Sequence, residues 1–386
     1  MELKDKKVLV CGMAKSGIAA AHLLKQNGAD VTVQDAKTED LLGTAPAELR
    51  SKDISLILGR NPEDEIEKFD MLVMSPGVPL DLPFVKKAKE LGKTIIGETE
   101  LGYRFTRSPF IGITGTNGKT TTTTLVGEIM KNAGLLAGTV GNIGTPLTEA
   151  IEGAKPENWF VAELSSFQLE TIEDFRPVIC AVLNITPDHL NRHKTLENYI
   201  AAKERVFENQ TAEDFTILNY NDPATRDMAN RTKGRVVFFS LDREIEDGIF
   251  SDGKSMYIRT LGYKEKVLDI KDMNILGGHN VENAMAAIAC GVCAGVDLDI
   301  IRKTLCEFTA VEHRIEFVAE VNGVRYYNDS KGTNPDASIK AVMAMERPIC
   351  IIAGGYDKGS DFAEWIATFE GRVKYAAVIG AVKEKI

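Results

Sequence analysis

The sequence predicts an α/β protein of two or three domains built on parallel sheets. Three observations carry this: its length, a strand–helix rhythm sustained from end to end, and one glycine-rich turn set between a strand and a helix. At 386 residues the chain exceeds a single ordinary core, which holds about 100–200 residues. Apolar runs of strand length alternate with segments of helical period, as expected when each strand is followed by a helix that returns to the same sheet. The first series has strands at 8–11, 31–34 and 71–74 and helices at 18–26 and 84–91. The second has a strand at 110–114, a helix at 121–133 and strands at 159–164 and 179–183. The third comprises 325–328, 339–345, 349–353 and 376–379. Polar, turn-rich stretches near 97–108 and 297–311 fit as boundaries, giving domains 1–97, 98–310 and 311–386. The last is short for a doubly wound domain and is expected to be incomplete. Residues 284–296 are too few to span a bilayer and read as a buried helix.

Hydrophobic residues at 44% and charged residues at 26% match folded globular domains and exclude fibrous or disordered classes. A net charge of −10 argues against a general nucleic-acid or anionic-membrane binder, because both need a cationic face. It leaves room for one phosphate pocket. The charged N-terminus enters a strand directly, with no apolar leader segment, so a cytoplasmic protein is expected. Six cysteines sit in apolar runs, as small buried hydrophobes in a reducing compartment would. Cys290 and Cys293 form a C-x-x-C, but in an alanine-rich helical stretch without a second pair at zinc spacing.

The strongest local signal is FIGITGTNGKT at 110–120. Gly115 and Gly118 let backbone N–H groups of Thr116 and Asn117 turn inward, the helix N-terminus adds partial positive charge, and Lys119 reaches the outer phosphates of a nucleotide. Thr120 would supply a hydroxyl to Mg²⁺. Five threonines, 120–124, open the next helix at a cost of about 3 kcal/mol relative to alanine. Hydroxyls that cap the helix and line a phosphate site account for that choice. The loop is a variant, since Ile113 stands where the usual pattern has its first glycine. Glu163 ends the strand WFVAE, a position suited to a carboxylate on Mg²⁺ or to a solvated strand-end acid.

At the N-terminus, Gly12, Ala14 and Gly17 follow a strand and open a helix, and Asp35 ends the next strand. This resembles a dinucleotide fingerprint with its middle glycine replaced, so a dehydrogenase remains an alternative on these residues alone. His189 and His193 lie four apart, which also admits zinc. Lys203 reads as an ordinary helix lysine.

Taken together, ITGTNGKTT (113–121), GNIG (141–144), ELSSFQLE (163–170), LNITPDHL (183–190), the segment around Lys203, GGHNVENAMAA (277–287), EHRIE (312–316) and NDSKGTNPDA (328–337) resemble the Mur ligases over all three expected domains. ELSSFQLE and Asp329-Ser330-Lys331 are similar to the D-glutamate-adding branch. The resemblance implies a Rossmann-like N-terminal domain, a central P-loop ATPase-type domain and a Rossmann-like C-terminal domain. It implies a monomer that uses ATP to join D-glutamate to UDP-N-acetylmuramoyl-L-alanine through an acyl phosphate. By the same resemblance, Lys119 stabilises the transferring phosphoryl group, and Gly115 to Thr121 cradle the phosphates. Thr120 and Glu163 serve one Mg²⁺, and His189 and a carbamylated Lys203 serve a second. Asn280 and Asn283 contact adenine, while Arg314 and Asp329 contact phosphate and ribose. Lys331, Thr333 and Lys358 face D-glutamate. Ser16, Asp35, Lys37, Ser75, Gly77 and Asn142 take the UDP end, with Ala36 standing where relatives often have a hydroxyl. Family members continue past the position of Ile386, so impaired amino-acid binding is expected. Folylpolyglutamate synthetase shares the loop and the chemistry, and a nucleotide-binding regulator without turnover is the third reading.

Overall fold

The computed structural model describes residues 1–275, 277–309, 313–357 and 359–386. The chain divides into two units, one of residues 1–112, 135–178 and 202–211, the other of residues 113–134, 179–201 and 212–386. The strand Phe110–Thr114 is shared between them.

The first unit holds a five-stranded sheet in the order Ser55–Leu58, Asp30–Asp35, Lys7–Cys11, Met71–Met74, Thr94–Gly97, with every pairing parallel. Its strands are buried on both faces, and their side chains alternate between two cores. Val8, Val10, Val31, Val33 and Val73 join one core, to which the helix Lys15–Gln26 adds Ala20, Ala21 and Leu24 from one face. Leu9, Cys11, Leu72 and Met74 join the other, against Phe84, Val85 and Ala88 of the helix Pro83–Glu90. The order reverses between Lys7–Cys11 and Met71–Met74, which opens the crevice at the strand ends where such sheets take ligands. The parallel pair Leu136–Gly141 and Trp159–Glu163 completes this unit's strands.

In the second unit Ile179–Val182, Phe215–Asn219, Arg235–Ser240 and Gly248–Ser251 pair in parallel. Ser255–Thr260 and Tyr263–Asp269 then extend the row antiparallel. The helices Lys119–Asn132 and Gly278–Cys293 pack together, and the second of these is buried along nearly its whole length, as expected of an apolar run in that region. Toward the C-terminus come the hairpin Glu316–Val321 with Val324–Asn328, the helix Pro335–Ala344 and the parallel pair Ile349–Gly355 with Val373–Gly380.

Three expectations are corrected. The stretch read as a turn near 97–108 contains the helix Glu98–Tyr103, whose acids are buried and satisfied. Glu98 accepts from the Thr148 N–H and hydroxyl at 2.7 and 2.8 Å, and Glu100 accepts from the N–H groups of Glu173, Asp174 and Phe175. The stretch near 297–311 contains the helix Leu298–Glu307, capped by Asp297 and burying Leu298, Ile301 and Leu305 on one face. Polar content concealed the 3.6-residue period in both. Finally, Cys11, Cys180 and Cys290 are buried, but Cys350 is exposed. Among the described residues no helix is long and apolar enough to cross a membrane.

Candidate active site

The glycine-rich turn bends as its residues require. Gly115 and Gly118 have φ of 141° and 84°, and a Cβ at Gly118 would stand 2.2 Å from Asn283 Oδ1. The helix starts at Lys119 with Gly118 as its cap and no side-chain cap bond, so the threonine hydroxyls do not cap it. Thr122 instead donates to Asn283 Oδ1 at 3.3 Å, and Thr124 bonds back to the Thr120 carbonyl at 2.8 Å. The Lys119 ammonium donates to the carbonyls of Gly115 and Thr116 at 3.0 and 2.8 Å.

Two loop residues are committed to the protein itself. The Thr116 N–H donates to the Asn184 carbonyl, and its hydroxyl meets the Thr186 carbonyl and the Tyr199 hydroxyl. Asn117 exchanges bonds with the Asn184 side chain, N–H to Oδ1 at 2.8 Å and carbonyl from Nδ2 at 3.0 Å. The N–H groups of Thr116 and Asn117 are therefore already taken within the protein.

A cleft within the second unit gathers Asn117, Gly118, Thr121, Asn283, Arg314 and Asp329 from three distant segments. All six were expected at a nucleotide. Asn283 donates to Asn280 Oδ1 at 3.1 Å, and both are buried. Asp329 accepts from the Ile315 N–H at 3.1 Å, and burial, opposed by Arg314, holds its carboxyl above the usual range. The same cleft is lined by Asn184, His279, Glu282 and Lys340, which sequence reasoning did not single out. Three of these four lie inside the motifs that carried the resemblance, but nothing local marks them as facing a cleft. Lys331 and Thr333 do not line it; Lys331 is half-buried and Thr333 exposed. Lys358 lies outside the described residues.

Burial, reinforced by Lys340 and Arg314, pushes the His279 imidazole down to about 4. A histidine neutral in the fold but protonated when unfolded makes stability fall as pH drops from about 6.5 toward 4. Burial raises the Glu282 carboxyl, which gives the opposite slope, so the histidine's part is read by comparison. His279→Gln is expected to flatten the acid side of the unfolding free energy measured by urea titration across pH 4–7. An unchanged slope would refute this.

In the first unit Glu163 ends the strand Trp159–Glu163 and is only 1% exposed, which excludes a solvated strand-end acid. Its Oε1 accepts from Asn142 Nδ2 at 2.7 Å and its carbonyl from the Asn142 N–H at 2.9 Å. Asn142, expected on the UDP end, thus orients the glutamate. Oε2 is buried and has no hydrogen-bond partner among the described residues. An orphaned buried carboxylate oxygen costs free energy unless a cation meets it, and a hard divalent ion fits. Lys203, in the helix Leu196–Glu204, is also 1% exposed, which overturns its reading as an ordinary helix lysine. His189 has φ of 53° and its Nε2 lies 3.6 Å from Asp188 Oδ2. His193 turns inward, its ring 5.3 Å from that of Tyr199.

Among the expected UDP-end residues, Asp35 and Ser75 lie at strand ends flanking the sheet's crevice. Gly12 has φ of 97°, and a Cβ on Gly17 would lie 1.9 Å from the Gly12 carbonyl. Asp35 accepts from the N–H groups of Met13 and Lys37 at 2.8 and 2.9 Å, tying the turn to its own strand end. Ser75, buried, follows Met71–Met74 on the other side of the crevice, with Gly77 exposed beyond it. Ser16 is half-buried and Lys37 exposed. Lys15 bridges to the Gly144 carbonyl at 2.9 Å.

Family models match in order along the chain: a Mur ligase MurD-like N-terminal domain at 6–97, a Mur ligase middle domain at 113–291 and a Mur ligase glutamate ligase domain at 313–385. The chain belongs to the Mur ligase family. Among its relatives, UDP-N-acetylmuramoylalanine--D-glutamate ligase of Thermoanaerobacter sp. (strain X514) is 50% identical over all of this chain and 85% of its own length. The protein of that name from Clostridioides difficile (strain 630) is 49% identical over 100% of this chain and 86% of its own. Among solved structures, MurF ligase from Thermotoga maritima in complex with ADP shares the fold at a TM-score of 0.59 and 16% identity. That match covers 98% of this chain and 86% of that one.

Proposed function

We propose that this protein ligates D-glutamate to UDP-N-acetylmuramoyl-L-alanine at the expense of ATP, releasing ADP and phosphate. The observation that carries the reading is half-identity, over the whole chain, to proteins named for that reaction. A carboxylate is a poor electrophile until one oxygen becomes a leaving group. ATP therefore phosphorylates the alanyl carboxylate first, the D-glutamate amine attacks the acyl phosphate, and the tetrahedral intermediate expels phosphate.

Lys119 would leave its loop carbonyls to stabilise charge on the transferring phosphoryl group. Asn280 and Asn283 would meet adenine, and Arg314 and Asp329 phosphate and ribose. Gly115 to Thr121 would cradle the triphosphate, with the N–H groups from Gly118 onward its nearest donors. Thr120 and Glu163 would hold one Mg²⁺, supported by the orphaned Glu163 oxygen. His189 and a carbamylated Lys203 would hold a second. The cations, when bound, neutralise charge on phosphoryl and carboxylate oxygens. Ser16, Asp35, Lys37, Ser75, Gly77 and Asn142 would receive the UDP end, and Lys331, Thr333 and Lys358 the dianionic amino acid. The protein would act as a cytoplasmic monomer on these small molecules.

Phosphate release with ATP, Mg²⁺ and each candidate acceptor pair tests the reading. Turnover is expected only with UDP-N-acetylmuramoyl-L-alanine and D-glutamate together. Release with a folate and glutamate instead, or with no pair at all, would overturn it.

A further inference from the structure

Asn117 of the phosphate loop is held from the C-terminal part of the second unit as well as by Asn184. Its Nδ2 donates to Asp336 Oδ2 at 2.5 Å, and its Oδ1 accepts from Asn334 Nδ2 at 3.1 Å. Asn334 is also the cap of the helix Pro335–Ala344, its Oδ1 accepting from the Ala337 N–H at 2.8 Å. The Asp336 oxygen that takes Asn117 is shared with Lys340 Nζ, 3.1 Å away and one turn further along. Asp336 sits in the first turn of that helix, where the dipole favours a negative charge. Asn117, Gly118 and Thr121, from the loop and its helix, line the cleft together with Arg314, Asp329 and Lys340 from the C-terminal part. Asn117 is buried, and Asp336 and Lys340 are 29% and 28% exposed, so these are not freely solvated surface pairs.

We propose that Asp336 is a positioning residue for the nucleotide. It clasps the phosphate loop to the wall that carries Arg314 and Asp329, and Lys340 holds its carboxylate aimed. The clasp holds the two walls at the spacing a nucleotide needs, so binding need not supply that ordering. Asp336 acts through Asn117 and touches no reacting atom. Its effect should therefore appear in nucleotide affinity and not in the chemical step. This rests on the reading that the cleft takes ATP.

The test titrates wild type, Asp336→Ala, Asp336→Asn, Lys340→Met, Asn117→Ala and the Asn117→Ala/Asp336→Ala double variant with a non-hydrolysable ATP analogue and Mg²⁺ by calorimetry. Phosphate-release kinetics run alongside. Loss of one charge-assisted bond predicts that Asp336→Ala weakens binding and raises the KM for ATP about tenfold. The kcat at saturating ATP and the KM for the UDP substrate should stay within about twofold. Asp336→Asn retains an acceptor for Asn117 and should lose only about threefold, as should Lys340→Met, which leaves the acid unpaired. The double variant should bind no worse than its weaker parent, because the two residues act as one unit.

Unchanged affinity in Asp336→Ala, additive losses in the double variant, or an equal loss for the UDP substrate would each overturn the clasp. Should Asp336→Ala fail to fold, Asn334→Asp keeps the helix cap, removes the donor to Asn117 and sets a carboxylate against Asn117 Oδ1. It is expected to weaken binding at least as much as Asp336→Asn, and unchanged affinity would overturn the clasp. Wild-type binding without phosphate release would sink the ligase reading while the affinities still decide the clasp; absence of wild-type binding would overturn both.

Discussion

Lys119→Ala is expected to cut phosphate release about a thousandfold or more while leaving the fold intact, since removing one charge-stabilising group at a phosphoryl or oxyanion centre costs on that order. The lysine's hydrogen bonds within its own loop explain why folding should survive. They are bonds to the carbonyls of Gly115 and Thr116 in its own loop, and the helix behind it is anchored by Leu125, Val126, Ile129 and Met130. In the proposed role, the ammonium would exchange these carbonyl oxygens for phosphoryl oxygens as charge develops. Arginine should substitute poorly, because a planar guanidinium cannot occupy the same tight turn as a point charge. Circular dichroism should match wild type, and single-turnover phosphate release should report the loss. Turnover at the wild-type rate would remove Lys119 from the chemistry.

The bend of the glycine-rich turn was legible in the sequence because its physics is local. Positive φ at Gly115 and Gly118 and a lysine at the first position of a helix are imposed by neighbours in the chain. The N-terminal crevice was legible for the same reason, since Gly12, Gly17 and Asp35 all answer to strand ends and the turns that leave them. What local pattern could not reveal is what another segment does to a residue. Thr116 and Asn117 read as phosphate donors, yet Asn184, some 67 residues away, takes the N–H of Asn117. Glu98 and Glu100 read as turn residues because acids are seldom buried, and only the N–H groups of distant segments make their burial tolerable. His279, Glu282 and Lys340 lie on helix faces whose partner surface is set by tertiary packing, so their place in the cleft had no local signature.

Lys203 marks the sharpest separation between sequence and structure, and it carries the second large effect. A lysine near the end of a nine-residue helix is ordinarily solvated, yet this one is 1% exposed. Holding an ammonium at such depth costs several kcal/mol unless an anion or a change of charge state compensates. A carbamate converts the side chain into an anionic oxygen ligand of the kind hard Mg²⁺ prefers. Lys203→Ala is accordingly expected to lose at least about a hundredfold in activity, and added acetate or formate should restore part of it by placing a carboxylate in the vacated space. Lys203→Met separates this from packing: it keeps most of the volume, should unfold no more readily than wild type, and should be equally inactive but resist rescue because the space is filled. Labelling with ¹³C-bicarbonate gives a readout independent of turnover, since a carbamate carbon should appear in wild type and vanish in both variants. If no such signal appears, acetate fails to rescue Lys203→Ala, and wild-type activity is indifferent to CO₂, the lysine acts as a buried cation and the proposed second metal site loses its anionic ligand.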